Sequence, residues 1–309
     1  MGKLYVGNSG STPAIIKVEE VPKTKFGVTI DNLLGDVDTE GVLNTLNIPN
    51  FEFVGVGIKT VASGALAYKF TSASSARPTI NITKILLPDL EQVHTDGCRQ
   101  MASKSSCLVE VNLGHLSIVN NHGAFSEAFA DCYYLMNTGL DNVTEITSTN
   151  VFDAAYYNCN KLQSTSLDNL TIISGNYACQ EMFALCSSIT STGLHNLTSI
   201  SGNYACENMF NMCEENLDIG LEKLESISGS YACQKMFAYN TKLTTVYFPM
   251  LTIVSTANAM GRNTSSGMFA GCTNLTEIHF RVDARAVIES LTGYSDKFGA
   301  TNATIYFDL

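Results

Sequence analysis

Residues Ile173–Ile189 read ISGNYACQEMFALCSSI. From Ile200 the chain reads ISGNYACENMFNMCEEN, and from Ile227 it reads ISGSYACQKMFAYNTKL. Each copy carries a glycine, a tyrosine, a phenylalanine and at least one cysteine. The fold turns on whether these residues recur for chemistry or for packing.

Working outward, the same residue types recur in register. Phe129, Tyr156, Phe183, Phe210 and Phe237 stand 27 residues apart. Cys132, Cys159, Cys186 and Cys213 keep that step, with Asn240 in the next place. Leu140, Leu167, Leu194 and Leu221 follow it, then Phe248; so do Ile146, Ile173, Ile200 and Ile227, then Val254. Independent columns sharing one register define a repeat, and a fixed period of about 20–50 residues signals a solenoid. Phe269 and Cys272 come late, 32 residues after Phe237 and Asn240. The polar segment STANAMGRNTSS (255–266) takes up the difference. Upstream, Leu108, Leu113, Leu116 and Val119 fit the register, so the array is expected over residues 80–280.

One unit divides into three parts. YACQEMFALC (177–186) places Ala178, Cys179, Met182, Phe183 and Cys186 on one helical face, which predicts a helix of two to three turns. ITSTGL (189–194), with counterparts LVEVNL, LTTVYF and LTEIHF, predicts a strand of the leucine-rich-repeat kind. LTSI (197–200) predicts a second extended piece before a turn at Gly202. The expected fold class is therefore an α/β repeat, a leucine-rich-repeat solenoid of short strands plus short helices.

The ends leave the period. Residues 1–79 hold strand-like runs (KLYVG, AIIKVEEV, FGVTI, FEFVGVGI) and predict a small β-rich capping or attachment domain. GDVDTEG (35–41) has the opening spacing of a calcium loop, but its twelfth position is Asn47 instead of Glu, so a solvated turn is the better reading. Residues 281–309 predict a C-terminal cap, with a helix in DARAVIESLTGY and a strand in ATIYFDL.

A zinc site needs ligands that converge, commonly at paired short spacings. Here the two cysteine columns, Cys98, Cys179, Cys206, Cys233 and Cys132, Cys159, Cys186, Cys213, Cys272, admit Phe125, Phe152 or Asn240 in other copies. A packing position tolerates that exchange, because free Cys behaves as a small buried hydrophobe. No metal or cofactor is expected. His94, His115, His122, His195 and His279 lack the short spacings of metal pairs. No nucleophile elbow, phosphate loop or dinucleotide fingerprint occurs, so the chain is read as non-enzymatic.

Formal net charge is −11. An acidic surface repels phosphate backbones, so no nucleic-acid partner is expected. No apolar run reaches the length of a membrane span, so no insertion is expected. MGKLYVGNSG has no apolar core behind a basic start, and no secretory signal is expected. Function is sought instead on the strand face, where alternate residues point outward. One outward column holds Glu110, Asn137, Ser164, Ser191, Asp218, Thr245 and Glu277. A second holds Asn112, Gly139, Ser166, Gly193, Gly220, Tyr247 and His279. The candidate ligand-binding residues are Glu110, Asn112, Asn137, Ser164, Ser191, Thr245, Tyr247, Glu277 and His279.

MFALCSSI, MFAGCTNLTEIHF and AFADCYYL resemble the [A/M]-F-x-x-C-x-x-L signature of BspA-like leucine-rich repeats over about two thirds of the chain. The ending LTGYSDKFGATNATIYFDL is similar to caps of such proteins from gut Firmicutes and their prophages. MGKLYVGNSG resembles the opening of phage tail-associated proteins. The resemblance implies adhesion or recognition of a host-surface protein or glycan, on a virion or extracellular surface after cytoplasmic synthesis. Residues 1–79 would then meet other virion proteins. Two alternatives stay open: a purely structural solenoid docked into a larger assembly, and a bacterial surface adhesin.

Overall fold

The computed structural model describes residues 3–9, 12–19, 51–71, 82–213 and 217–309. The strand-like run FGVTI and the turn at 35–41 lie outside them. The protein is mostly parallel sheet with one short α-helix and no closed barrel among the described residues, an arrangement compatible with a repeat-like α/β fold.

Strands β1 (Lys3–Ser9) and β2 (Thr12–Glu19) form an antiparallel hairpin. β2 then pairs in parallel with β3 (Phe51–Val56), β3 with β5 (Ile82–Leu86), and β5 with β7 (Glu110–Asn112). β4 (Thr60–Val61) likewise pairs in parallel with β6 (Gln92–Val93). The parallel ladder thus reaches back past residue 80 into the expected N-terminal domain, as far as Ala14 in β2.

The LTSI segments build a second sheet. β8 (Ile118–Val119), β9 (Glu145–Ile146), β10 (Ile172–Ile173), β11 (Ser199–Ile200), β12 (Ser226–Ile227) and β14 (Ile253–Val254) pair in parallel in chain order. From Ile146 onward each pairs with the residue 27 positions later, as Ile146 with Ile173 and Ile173 with Ile200. At the C-terminal end, β13 (Thr245–Phe248), β15 (Glu277–Phe280) and β16 (Thr304–Phe307) form a third parallel sheet. The single helix α1 (Arg285–Glu289) lies within the predicted segment and is preceded by a 3-10 turn, Val282–Ala284.

The helices expected in each repeat are absent from the described residues, and this corrects the reading of YACQEMFALC. Tyr177, Glu181 and Leu185 have φ of 53°, 51° and 62°. A left-handed residue at every fourth position cannot belong to a right-handed helix. The segment is instead a ribbon of consecutive turns. The N–H groups of Cys179, Glu181, Phe183 and Leu185 donate to the carbonyls of Ala205, Glu207, Met209 and Asn211 in the next copy. Those of Gln180, Met182, Ala184 and Cys186 donate three residues back within their own copy. Every N–H from Cys179 to Cys186 therefore has a partner, as buried backbone requires. The apolar positions 178, 179, 182, 183 and 186 fit a period of four as well as 3.6, and ten residues are too few to separate the two.

One hydrophobic core runs from Phe53 to Ala303. At its centre the aromatic column stacks ring on ring: Phe129–Tyr156 at 5.2 Å, Tyr156–Phe183 at 5.4 Å, Phe183–Phe210 at 5.4 Å and Phe210–Phe237 at 5.7 Å. Tyr156 keeps the stack because its hydroxyl donates to Thr138 O at 2.6 Å, which satisfies the buried oxygen. The S-G pair in each copy has a steric cause. A Cβ on Gly175, Gly202 or Gly229 would strike the backbone carbonyl of Ser148, Gly175 or Gly202 respectively. Glycine there lets neighbouring copies approach. The extra residues before Phe269 fall between Ala259, which accepts from Cys233 N–H, and Met268, which accepts from Phe237 N–H.

Candidate functional site

The outward strand face is not one continuous sheet. It is regular at both ends and interrupted in the middle, where only isolated bridges join Ser164 to Ser191 and Ser191 to Asp218. The interruption follows from sequence. The inward position is Val111, Val246 or Ile278 in the sheets, but buried Thr138, Thr165 and Thr192 in three middle copies, with Ile219 in the next. Each threonine hydroxyl donates to the backbone of the next copy: Thr138 to Thr165 O at 2.7 Å, Thr165 to Thr192 O at 2.5 Å, and Thr192 to Ile219 O at 2.8 Å. Side-chain hydroxyls supply bonds that a paired strand would supply.

The nine candidate residues therefore separate into groups. Glu110, Asn112 and Asn137 line one depression of about 290 Å³ beside β7, together with His115, Asp141 and Asn142. Glu110 is ion-paired with Lys84 at 2.9 Å, and its carboxylate holds the lysine ammonium above its ordinary pKa. Asn137 is consumed structurally: its amide nitrogen donates to Val111 O and its oxygen accepts from Val111 N–H, both at 2.9 Å. It stands in for the next strand and ends the sheet at β7. Ser164 and Ser191 belong to the interrupted middle. Thr245, Tyr247, Glu277 and His279 come together on the C-terminal sheet.

There, His279 is stacked between two tyrosines, Tyr247 at 4.8 Å and Tyr306 at 4.9 Å between ring centroids. Its Nδ1 lies 2.9 Å from Asp308 Oδ1, and its Nε2 lies 3.4 Å from Glu277 Oε2. Both faces and both nitrogens of the imidazole are thus engaged. Tyr247 is 49% exposed and Tyr306 38%. Gly220 stands one copy before Tyr247 in the same column, so no side chain covers the other face of that ring from this position. Tyr306 and Asp308 were not among the expected site residues. Their signal was ATIYFDL, read as a strand but not aligned with the outward columns, where register pairs Tyr306 with His279.

A second histidine gathers carboxylates. His195 Nδ1 lies 3.2 Å from Glu222 Oε2, and Nε2 lies 3.6 Å from Asp218 Oδ2. Among the described residues this is the one group of three or more His, Cys, Asp or Glu whose potential ligand atoms lie within 4.8 Å of one another. The carboxylates approach different nitrogens of one half-exposed imidazole.

The cysteines do not converge. Nine of the ten are buried. Burial pushes the Cys233 and Cys132 thiols up to about 12, and raises Cys98, Cys179, Cys206 and Cys213 as well. A thiol held protonated is a poor nucleophile. The second column does more than fill space. Cys132, Cys159, Cys186 and Cys213 donate to the carbonyls of Ala102, Phe129, Tyr156 and Phe183, each 30 residues back, at 3.0–3.2 Å. Asn240 does the same with its amide, to Phe210 O at 2.9 Å. The Asn in that column marked a donor position, which a purely hydrophobic reading passes over.

Among the described residues, no helix is long and apolar enough to cross a membrane. No protein-family model, no curated protein and no solved structure matches the chain.

Proposed function

We propose that the protein is a non-enzymatic recognition protein whose C-terminal strand face contacts a host-surface glycan or protein. In this reading the ladder is a BspA-like leucine-rich-repeat solenoid, carried on a phage or prophage tail. The observation that supports it is the exposed Tyr247–His279–Tyr306 stack with Glu277 and Asp308 at its edges. Stacked rings held by a sheet form a rigid apolar step, and the carboxylates beside them accept hydrogen bonds. Such a surface suits a ligand with one apolar face and a hydroxyl edge. The engaged imidazole and the buried thiols favour binding over catalysis. The test is binding of the full chain to host cell envelopes and to a glycan array, with Tyr247→Ala and Glu277→Ala as variants. Loss of binding in both supports the proposal. Retained binding in both places recognition elsewhere, and no binding at all favours a purely structural solenoid.

A further inference from the structure

We propose that the depression beside β7 is a second recognition subsite, which takes one neutral sugar ring through Asn112, His115 and Asp141. The proposal deepens the reading of the protein as a recognition protein and rests on it. The site lies four 27-residue steps from Tyr247, counted from Gly139. At about 4.8 Å per step this is roughly 20 Å along the ladder.

The depression holds about 290 Å³. That is at the small end of ligand pockets, which begin near 300 Å³, and suits a ring-sized ligand better than a folded surface. Several polar groups around it are already spent on the fold. Asn137 uses both amide atoms on Val111, and Asn142 donates to Gly114 O at 2.7 Å. Asn112 accepts from Gly114 N–H at 2.8 Å, which fixes the orientation of its amide. This leaves Asn112 Nδ2 as a donor, the Asp141 carboxylate as an acceptor and the His115 ring as either, with no hydrogen-bond partner among the described residues. All three residues are exposed.

Gly114 and Gly139 leave the floor free of side chains. Both have positive φ, 62° and 71°, and a Cβ on either would meet the backbone of the preceding copy. A carboxylate offers about four lone-pair sites and can accept from two adjacent hydroxyls at once. An oriented amide beside it donates to a ring or hydroxyl oxygen. A group fixed before binding, as the Asn112 amide is, costs less ordering, which favours a small ligand with few contacts. The lining carries Glu110, ion-paired with the neighbouring Lys84, and Asp141, on a chain of net charge −11. That field disfavours anionic sugars and phosphates.

The test is saturation-transfer NMR and calorimetric titration of the full chain. The probes are free glucose, galactose, mannose and N-acetylglucosamine, with N-acetylneuraminic acid and glucose 6-phosphate as anionic controls. At least one neutral sugar is expected to bind. Asp141→Ala and Asn112→Ala should each weaken it about tenfold or more, the equivalent of about 1.4 kcal/mol. Tyr247→Ala should leave it unchanged. Asp141→Asn, which keeps the shape and removes the charge, serves in place of an alanine variant that melts early. Binding of anionic sugars alone, no binding of any neutral sugar, or binding indifferent to Asp141 overturns the proposal. So does loss on Tyr247→Ala, which would merge the two sites. Envelope binding that survives Tyr247→Ala contradicts the C-terminal face and leaves this subsite standing.

Discussion

The hydroxyl of Thr165 donates to the carbonyl of Thr192, 27 residues on, at 2.5 Å, and accepts from Leu167 N–H at 3.3 Å. The next threonine repeats the arrangement. In the sequence this column reads Val111, Thr138, Thr165, Thr192, Ile219 and Val246, as if shape alone mattered. Thr165→Val would keep the shape and strand both backbone partners in the core. An unsatisfied buried group costs about 1–3 kcal/mol. Denaturant unfolding should therefore show a loss in that range.

The aromatic column sets the largest single-residue cost. Phe210 is fully buried between Phe183 and Phe237. Phe210→Ala should cost about 3–5 kcal/mol by chemical denaturation. Cys206→Ala should cost less, because only volume is lost. Cys213→Ala should cost more than Cys206→Ala, because it also leaves Phe183 O without the thiol donor.

How much of this was legible follows from the same residues. The 27-residue columns give the core and the second extended segment; the first, expected as a strand in every copy, is one only towards the ends of the array, and the C-terminal helix and strand are legible outside the period. The columns do not give the turn ribbon, because apolar residues at a period of four imitate a helix over ten residues. The missed cue was local: Asp96, Gly123, Asp131, Asn150, Asn158 and Asn208 all sit at left-handed positions. Asn, Asp and Gly adopt that conformation most readily. Outward columns located Tyr247, His279 and Glu277, but alternation could not show that Asn137 spends its amide on Val111. Nor could it show that His195 reaches Asp218 and Glu222, since those contacts depend on side-chain direction between copies.

Asp153 gives the structure a pH signature. Burial first, then Glu127 and Glu181, push its carboxyl up to about 6, and Arg99 partly offsets them. The ordinary value is about 3.9. A carboxyl raised on folding binds its proton more tightly in the folded state, so its penalty is absent below about pH 4. The penalty grows as pH rises towards 6 and is complete above that. Asp153→Asn should stabilise the protein at pH 7 by on the order of 1 kcal/mol after solvent screening, with little effect at pH 4. Melting both proteins at the two pH values checks the sign.

Thiol chemistry distinguishes a buried ladder from a reactive site. In the folded protein, iodoacetamide should modify Cys107, the one half-buried cysteine, well before the other nine. Intact-mass analysis gives the count directly. Stoichiometric zinc held by the purified chain, released on Cys206→Ala or Cys213→Ala, would contradict the structural role assigned to these columns.

Each repeat carries a turn ribbon where a helix was expected. Ala154 and Ala155 are adjacent in one ribbon, but only Ala154 has positive φ, at 50°. In a helix, Ala→Gly costs about 1 kcal/mol at either position. In the ribbon, Ala154→Gly removes a left-handed penalty of about 1–2 kcal/mol, while Ala155→Gly loosens a buried position. The decisive measurement is the unfolding free energy of these two variants. The ribbon predicts that Ala154→Gly matches or exceeds the parent while Ala155→Gly falls below it. Equal losses of about 1 kcal/mol at both positions would contradict it.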